Sequence, residues 1–173
     1  MPPLLFPRDG ARLPRVVVVQ DRPLSVRYQT ELLRRMADEQ GIALAIASLD
    51  LRDEVDDNVA RLAEVEGGID WLVTDLLIDS RDQMPENSQG IHLLRELVGR
   101  HMFGGYSHQP RPGVRSIAIS SACVDHGTVF LPELRRVLEQ LGVQFRFLGR
   151  GGDFEPLARV ILGEIAASAA AGG

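Results

Sequence analysis

The stretch Trp71–Asp75, with the sequence Trp-Leu-Val-Thr-Asp, predicts the fold because it joins a buried strand to an acidic residue. Two glycines precede the apolar run, and a polar segment follows it from Asp79. Such a short apolar run is typical of a strand that is covered on both faces, as in a parallel sheet. The carboxyl ends of such strands line the binding crevice of open α/β sheets. Asp75 is therefore the first candidate functional residue.

Length and composition indicate one globular domain. The chain has 173 residues, of which 45% are hydrophobic and 25% are charged, which is enough to bury a core. Its net charge of -5 disfavours direct contact with nucleic acid or an anionic membrane. The single cysteine, Cys123, excludes an intramolecular disulfide and a cysteine-based metal cluster. With no secretory or membrane-spanning run, the sequence predicts a cytoplasmic protein.

Five apolar runs alternate with five helical patterns along the chain. The predicted strands cover residues 15–20, 42–47, 71–75, 116–120 and 143–147. No hairpin signal connects them, so we expect parallel strands joined by right-handed crossovers. The predicted domain spans residues 15–168, after a leader (1–14) and before a frayed tail (169–173). The segments 76–89 and 102–113 lack apolar periodicity and are predicted to be long loops that bury little surface.

The burial pattern of each strand predicts the strand order. The first and third runs are continuously apolar, which indicates central strands. In the fifth run, polar Gln144 and Arg146 alternate with apolar residues, which indicates an edge strand. The flavodoxin-like order 2-1-3-4-5 satisfies these conditions. The predicted fold is therefore α/β, with a five-stranded parallel sheet, helices one and five on one face, and helices two, three and four on the other.

The helix after the first strand shows an apolar residue at every fourth position. Leu24, Tyr28, Leu32 and Met36 form this series, and Pro23 suits the first turn of the helix. The pattern predicts an amphipathic helix whose inner side carries these four residues.

Two carboxylates are expected to meet at one edge of the sheet. In the predicted order the first and third strands are neighbours, so Asp21 and Asp75 should converge, with Gln20 beside them. A few oxygen ligands, with room for water and a phosphate, suit Mg²⁺. Each acid also has a simpler interpretation, Asp21 as a helix cap and Asp75 as a hydrogen-bond acceptor at the start of a loop.

The strand ends resemble the receiver domain of bacterial two-component response regulators. In that family the first strand ends in an acidic pair and the third in a phosphoacceptor Asp. The fourth strand ends in Thr/Ser-Ala, and the fifth in an aromatic residue, two residues and Lys-Pro. The matching positions are Gln20-Asp21, Asp75, Ser121-Ala122 and 147–151, together with Met84-Pro85, Gly90 and Leu93-Leu94. The resemblance covers Arg15 to about Ile165, which is nearly the whole chain.

The resemblance implies a metal-dependent phosphoacceptor site. Asp75 would take a phosphoryl group from a histidine kinase or a phosphotransfer protein. Asp21, Asp75 and the backbone carbonyl of Leu77 would bind Mg²⁺, with Gln20 contacting the metal through a water. Ser121 would donate a hydrogen bond to a phosphate oxygen, and Arg150 would supply positive charge in the place of the family's lysine.

The resemblance also implies how a signal would leave the domain. Phe147 would rotate inward behind Ser121, and the face built from the fourth helix, the fifth strand and the fifth helix would change. That face would contact a downstream protein, or a second copy of the chain in a homodimer. The implied function is a single-domain response regulator, whose only catalysis would be phosphoryl transfer onto itself and autodephosphorylation.

Several departures from the family pattern leave a second interpretation open. Gln20 carries no charge, Arg150 has a planar fork where the family has an ammonium, and Gly151 replaces the proline. Additional residues also lie between Asp75 and Met84. The alternative is a pseudo-receiver that is not phosphorylated and acts as a protein-interaction module. A flavodoxin would instead require a Ser/Thr-rich phosphate loop after the first strand, where this chain has 21–23, Asp-Arg-Pro.

Overall fold

A computed structural model describes the chain over residues 5–6, 13–50, 53–75, 89–103, 113–120, 130–141, 144–147 and 153–171. Most of the two predicted loops, at 76–88 and 104–112, lies outside these residues. Within the described part, no helix is both long enough and apolar enough to span a membrane.

Strands and helices alternate along the described chain. The strands are β1 (Arg15–Gln20), β2 (Ala45–Asp50), β3 (Ile69–Thr74), β4 (Val114–Ile119) and β5 (Gln144–Phe147). The helices are α1 (Pro23–Glu39), α2 (Val55–Ala63), α3 (Gln89–Gly99), α4 (Phe130–Gln140) and α5 (Glu155–Ala171).

The strands form one sheet in which every pair is parallel, in the order β2-β1-β3-β4-β5. The predicted α/β class and the parallel sheet are confirmed. The order 2-1-3-4 connects the four strands of six residues each, and the four-residue β5 pairs with β4 at the edge. Arg146 of β5 also forms an ion pair with Glu164 of α5 at 2.7 Å, which attaches this edge to the helix behind it.

Two apolar layers cover the faces of the sheet. One layer, between the sheet and helices α1 and α5, contains Val16, Val18, Trp71, Val73 and Ala118 from the strands. The other layer, under helices α2 and α3, contains Val17, Val19, Leu49, Ile69, Leu72, Val114, Ile117 and Ile119 from the strands. Leu141, directly after α4, packs against this second layer. Side chains alternate between the layers along each strand, as a sheet covered on both faces requires.

The inner side of α1 differs from the prediction. Leu32 and Met36 are buried, but Leu24 is 82% exposed and Tyr28 is 51% exposed. A strict four-residue step advances about 40° too far at each repeat of a helix with about 3.6 residues per turn. Over three such steps the series therefore turns away from the core. The buried positions of α1 are instead Gln29, Leu32, Leu33, Met36 and Ala37.

Residues at both ends of the predicted loop 102–113 are packed, contrary to the sequence-based expectation. Phe103 is only 1% exposed and belongs to the second apolar layer. Its backbone pairs with Val114, and the amide of Val114 donates to the carbonyl of Met102 at 2.7 Å. The burial of this aromatic side chain is not marked by any periodic pattern in the sequence.

Part of the leader also contacts the core. Leu5 and Phe6 are partly buried and pack against the second apolar layer. The guanidinium of Arg15 lies 5.5 Å from the centre of the Phe6 ring, within the range of a cation–π contact. The amino end of β1 therefore helps to anchor these two residues.

Candidate functional site

The polar residues of interest lie where β1, β3 and β4 end side by side. The register pairs Val19 with Thr74, and Thr74 with Ile119. The hydrogen-bond ladder continues one residue further, because the amide of Asp75 donates to the carbonyl of Val19 at 3.4 Å. The amide of Ser120 likewise donates to the carbonyl of Thr74 at 3.0 Å. Residues 20, 75 and 120 are therefore level with one another at the carboxyl edge of the sheet.

The same three residues also share one face of the sheet. Two positions earlier in each strand, Val18, Val73 and Ala118 all belong to the apolar layer under α1 and α5. Because side chains alternate along a strand, positions 20, 75 and 120 continue this face. The apolar layer thus gives way to polar residues at the end where α/β sheets form their crevice.

Gln20 forms the centre of a buried hydrogen-bond network. Its side-chain amide Nε2 donates to Oε1 of Gln29 in α1 at 3.1 Å. The same nitrogen donates to the hydroxyl Oγ of Ser120. Gln20 is 2% exposed and Gln29 is 7% exposed, so both amides are shielded from water. Since an amide nitrogen carries two hydrogens, both donors of Gln20 are in use.

Asp21 follows β1 directly and is half-buried. Its Oδ1 atom is buried and has no hydrogen-bond partner among the residues that the structure describes. A buried carboxylate oxygen without a partner is unfavourable, so this atom favours a bound cation or donor. Arg22, the residue that precedes α1, makes no side-chain cap to the helix, and Pro23 is in the first turn.

Asp75 lies at the end of β3 and is half-buried. The hydroxyl of Thr74 donates to the carbonyl of Asp75 at 3.1 Å, which holds the backbone as it leaves the sheet. The sequence-based expectation that Asp21 and Asp75 follow adjacent parallel strands is confirmed. In the described parts of the chain, no group of three or more His, Cys, Asp or Glu side chains could hold a metal ion.

The remaining predicted site residues lie outside the described part. These are Leu77, Ser121 and Arg150, and for Phe147 only the backbone is described. Their assigned roles stay predictions.

Two residues of this region were not anticipated from the sequence. Gln29 lies in line with Leu33 and Met36 on the buried side of α1, and a polar residue on an apolar stripe is the signal that marks it. Ser120 precedes Ser121, and the family resemblance directed attention to the second serine. Strand alternation could have identified the first, because Ser120 follows Ser116 and Ala118 on the same face.

A second feature lies beside the network, where α1 meets the start of α5. The carboxylate of Asp153 accepts from the backbone amide of Glu155 at 3.1 Å, as at a helix N-terminus. The hydroxyl of Tyr28 contacts the same carboxylate at 3.5 Å. Desolvation, together with the negative charge of Asp153, raises the pKa of Tyr28 above its usual value.

Comparison with known proteins assigns neither a family nor a function to this chain. No protein family model and no curated protein sequence matches the chain. One similar solved structure is a short-chain flavodoxin associated with a non-canonical PDU bacterial microcompartment, at 12% identity and a TM-score of 0.47, over 91% of this chain and 99% of that chain. Another is general stress protein 14 from Treponema denticola in complex with FMN, at 12% identity and a TM-score of 0.39, over 89% of this chain and 98% of that chain. At these values neither similarity assigns a ligand to this chain.

Proposed function

We propose that this chain is a receiver-like signalling domain in which Asp75 accepts a phosphoryl group. The observation that carries the proposal is the position of Asp75 and Asp21, two half-buried carboxylates that directly follow adjacent parallel strands. Such a pair at the carboxyl edge of an open α/β sheet is a site where binding and chemistry are expected.

The reaction would transfer a phosphoryl group from a histidine nitrogen of the donor to the carboxylate of Asp75. A carboxylate oxygen of Asp75 forms a bond to phosphorus, and the bond from phosphorus to the histidine nitrogen of the donor breaks. That nitrogen keeps the electron pair, and the product is an acyl phosphate on Asp75. Hydrolysis of this acyl phosphate by water returns the free carboxylate and inorganic phosphate. Positioning and charge stabilisation account for most of the catalysis in such reactions.

The residues present fit Mg²⁺ in one respect, since Oδ1 of Asp21 is buried and lacks a partner in the described part of the chain. Mg²⁺ is commonly bound through one or two carboxylates, with waters and phosphate completing its shell. Asp21 and Asp75 would hold it, with the carbonyl of Leu77 and a water on Gln20 as further ligands. When bound, the ion supplies positive charge to the phosphoryl oxygens.

Protein partners would supply the phosphoryl group and receive the signal. The phosphoryl donor would be a histidine kinase or a phosphotransfer protein in the cytoplasm. The response would reach a downstream protein, or a second copy of the chain, through the face formed by α4, β5 and α5. Arg146 and Glu164 pair on that face between β5 and α5, so a change at β5 is coupled to the helix.

The test is chemical labelling of the purified chain. Incubation with Mg²⁺ and acetyl phosphate should add one acid-labile phosphoryl group, detectable as a single mass increase. Asp75→Asn should abolish it, whereas Asp57→Asn, at an exposed carboxyl in α2, should leave it unchanged. Label that persists in Asp75→Asn, or none on the wild type with acetyl phosphate or a kinase, would refute the proposal.

Gln20 favours a second function, that of a pseudo-receiver which binds protein partners without being phosphorylated. Its amide is buried and hydrogen-bonded in a position where the family resemblance implies a carboxylate. A neutral amide at this position adds no negative charge that a metal would have to balance. Failure of the wild-type chain to be labelled, with labelling of the combined Gln20→Asp and Arg150→Lys variant, would support this alternative.

A further inference from the structure

The end of β3 is crossed by a side chain from the neighbouring strand. Gln20 belongs to β1 and Ser120 follows β4, and the two strands lie on opposite sides of β3. Strands two positions apart in a sheet are separated by about 10 Å. The hydrogen bond from Gln20 to Ser120 therefore passes over the carboxyl end of β3, on the face to which Asp75 belongs.

The bond from Gln20 determines what the Ser120 hydroxyl can do. A serine hydroxyl carries one proton to donate and accepts through its lone pairs. Since Oγ accepts from Gln20, its own proton points elsewhere. It reaches the carbonyl of Thr74 at 3.5 Å. This separation exceeds the usual O–H···O range of about 2.5–3.0 Å, so the proton is held only weakly.

We infer that Gln20 is a positioning residue, and that it holds the Ser120 hydroxyl ready to donate to an oxyanion bound on Asp75. The inference rests on the proposed function and adds the group that recognises the phosphoryl oxygens from the β4 side. The buried amide of Gln29 keeps the Gln20 amide from rotating, because it accepts the second N–H at 3.1 Å. Both partners of the Gln20 amide are therefore residues of the chain itself.

An amide is required at position 20 for this role. A carboxylate at this position has no N–H to donate, so Ser120 could bond to it only by donating its own proton, which would then no longer be available to a ligand oxygen. An acidic pair at the end of β1 would therefore bind a cation better, but the Ser120 hydroxyl would lose the N–H donor that fixes its orientation. In this chain Gln20 lacks the charge of a second acid and fixes the Ser120 hydroxyl instead.

The test compares rates of labelling by acetyl phosphate at saturating Mg²⁺, with thermal melting to verify that each variant is folded. Ser120→Ala should be labelled about tenfold more slowly, the effect of one hydrogen bond to a charged group. Ser120→Thr keeps the hydroxyl and should recover most of the rate. Ser116→Ala, on the same strand and face at the opposite end, should behave as the wild type.

Gln20→Leu tests the positioning role separately. It should slow labelling about as much as Ser120→Ala, and the double variant should be no slower than the slower single one, because both changes break the same interaction. Additive losses would show that Gln20 acts only on the fold and would overturn its positioning role. A greater loss in Ser121→Ala than in Ser120→Ala would overturn the assignment of Ser120.

The results separate this inference from the proposed function. If the wild type is labelled and Ser120→Ala is labelled at the same rate, the inference fails and the proposed function stands. If the wild type is not labelled by acetyl phosphate or by a kinase, both fail.

Discussion

The side-chain amide of Gln20 donates to the hydroxyl of Ser120, one hundred residues further along the chain. This contact, with the second one to Gln29, connects β1, α1 and the end of β4 around the carboxyl edge of β3. Because all three partners are shielded, at least in part, the free energy of unfolding should depend on them.

The first prediction concerns the buried amide. Gln20→Leu should lower the free energy of unfolding by about 1–3 kcal/mol, because Gln29 and Ser120 lose a donor. Gln20→Glu should lower it further near neutral pH, since it also buries a negative charge at a position that is 2% exposed. Chemical denaturation measures both changes.

The Gln20→Glu variant should also show a pH dependence of known sign. Burial raises the pKa of the introduced carboxyl in the folded state above its value in the unfolded state. The folded state then binds the proton more tightly, so the loss of stability is smallest below the unfolded pKa and grows as the pH rises through the folded one. A control, Gln40→Glu at the exposed end of α1, should cost about 0.5 kcal/mol or less. Equal losses at the two positions would contradict the structure.

The second prediction concerns Asp21, whose effect on the melting temperature should depend on whether Mg²⁺ is present. Without Mg²⁺, Asp21→Asn should leave the melting temperature unchanged or raise it, because it removes a buried charged oxygen that lacks a partner among the described residues. With Mg²⁺ the wild type should become more stable as the concentration increases, since the ion binds the folded state. The variant should lose most of this increase. A response of the same size in both proteins would exclude Asp21 as a ligand.

The third prediction concerns the close approach at Gly113. A Cβ atom at this position would lie 1.5 Å from the carbonyl oxygen of Met102, which is backbone and cannot swing aside. Gly113→Ala should therefore lower the free energy of unfolding by about 3 kcal/mol or more. Gly163→Ala is the matched control, because this helical glycine has open space around it. It should raise stability by about 0.5–1 kcal/mol, and a destabilising result there would contradict the assignment of α5.

The fourth prediction compares Phe103 with Leu24. The sequence placed Phe103 in a loop that buries little surface and Leu24 on the inner side of α1, and the structure reverses their burial. Phe103→Ala should cost about 3–5 kcal/mol, because the side chain is 1% exposed in the core. Leu24→Ala should change the free energy of unfolding by about 0.5 kcal/mol or less, because Leu24 is 82% exposed. Guanidinium denaturation of the two variants measures the difference. A larger loss for Leu24→Ala would mean that α1 is rotated from its position here.

Local patterns were sufficient to predict the α/β class and the parallel sheet. The apolar runs that became β1 and β3 are buried on both faces because the strands are central, and polar Arg146 lies in β5 at the edge. Parallel strands bring their carboxyl ends to one edge, so the sequence was enough to assign Asp21 and Asp75 to that edge. These features depend on residue type and on spacing along the chain, which the sequence contains.

The polar network around Asp75 was decided by tertiary structure alone. The pattern could mark Gln29 and Ser120 as polar residues on a buried face, but it could not predict that both bind the Gln20 amide. Gln29 meets that amide through the rotation of α1, and Ser120 meets it through the register of β3 with β4. The burial of Phe103 is likewise a tertiary feature. Its backbone pairs with Val114, and no periodic pattern of apolar residues indicates this pairing. The sequence by itself determined which strands are central and where the acids lie. The register of the strands and the rotation of α1 decided which polar atoms meet, because a hydrogen bond depends on distances of a few tenths of an ångström, which a spacing pattern does not specify.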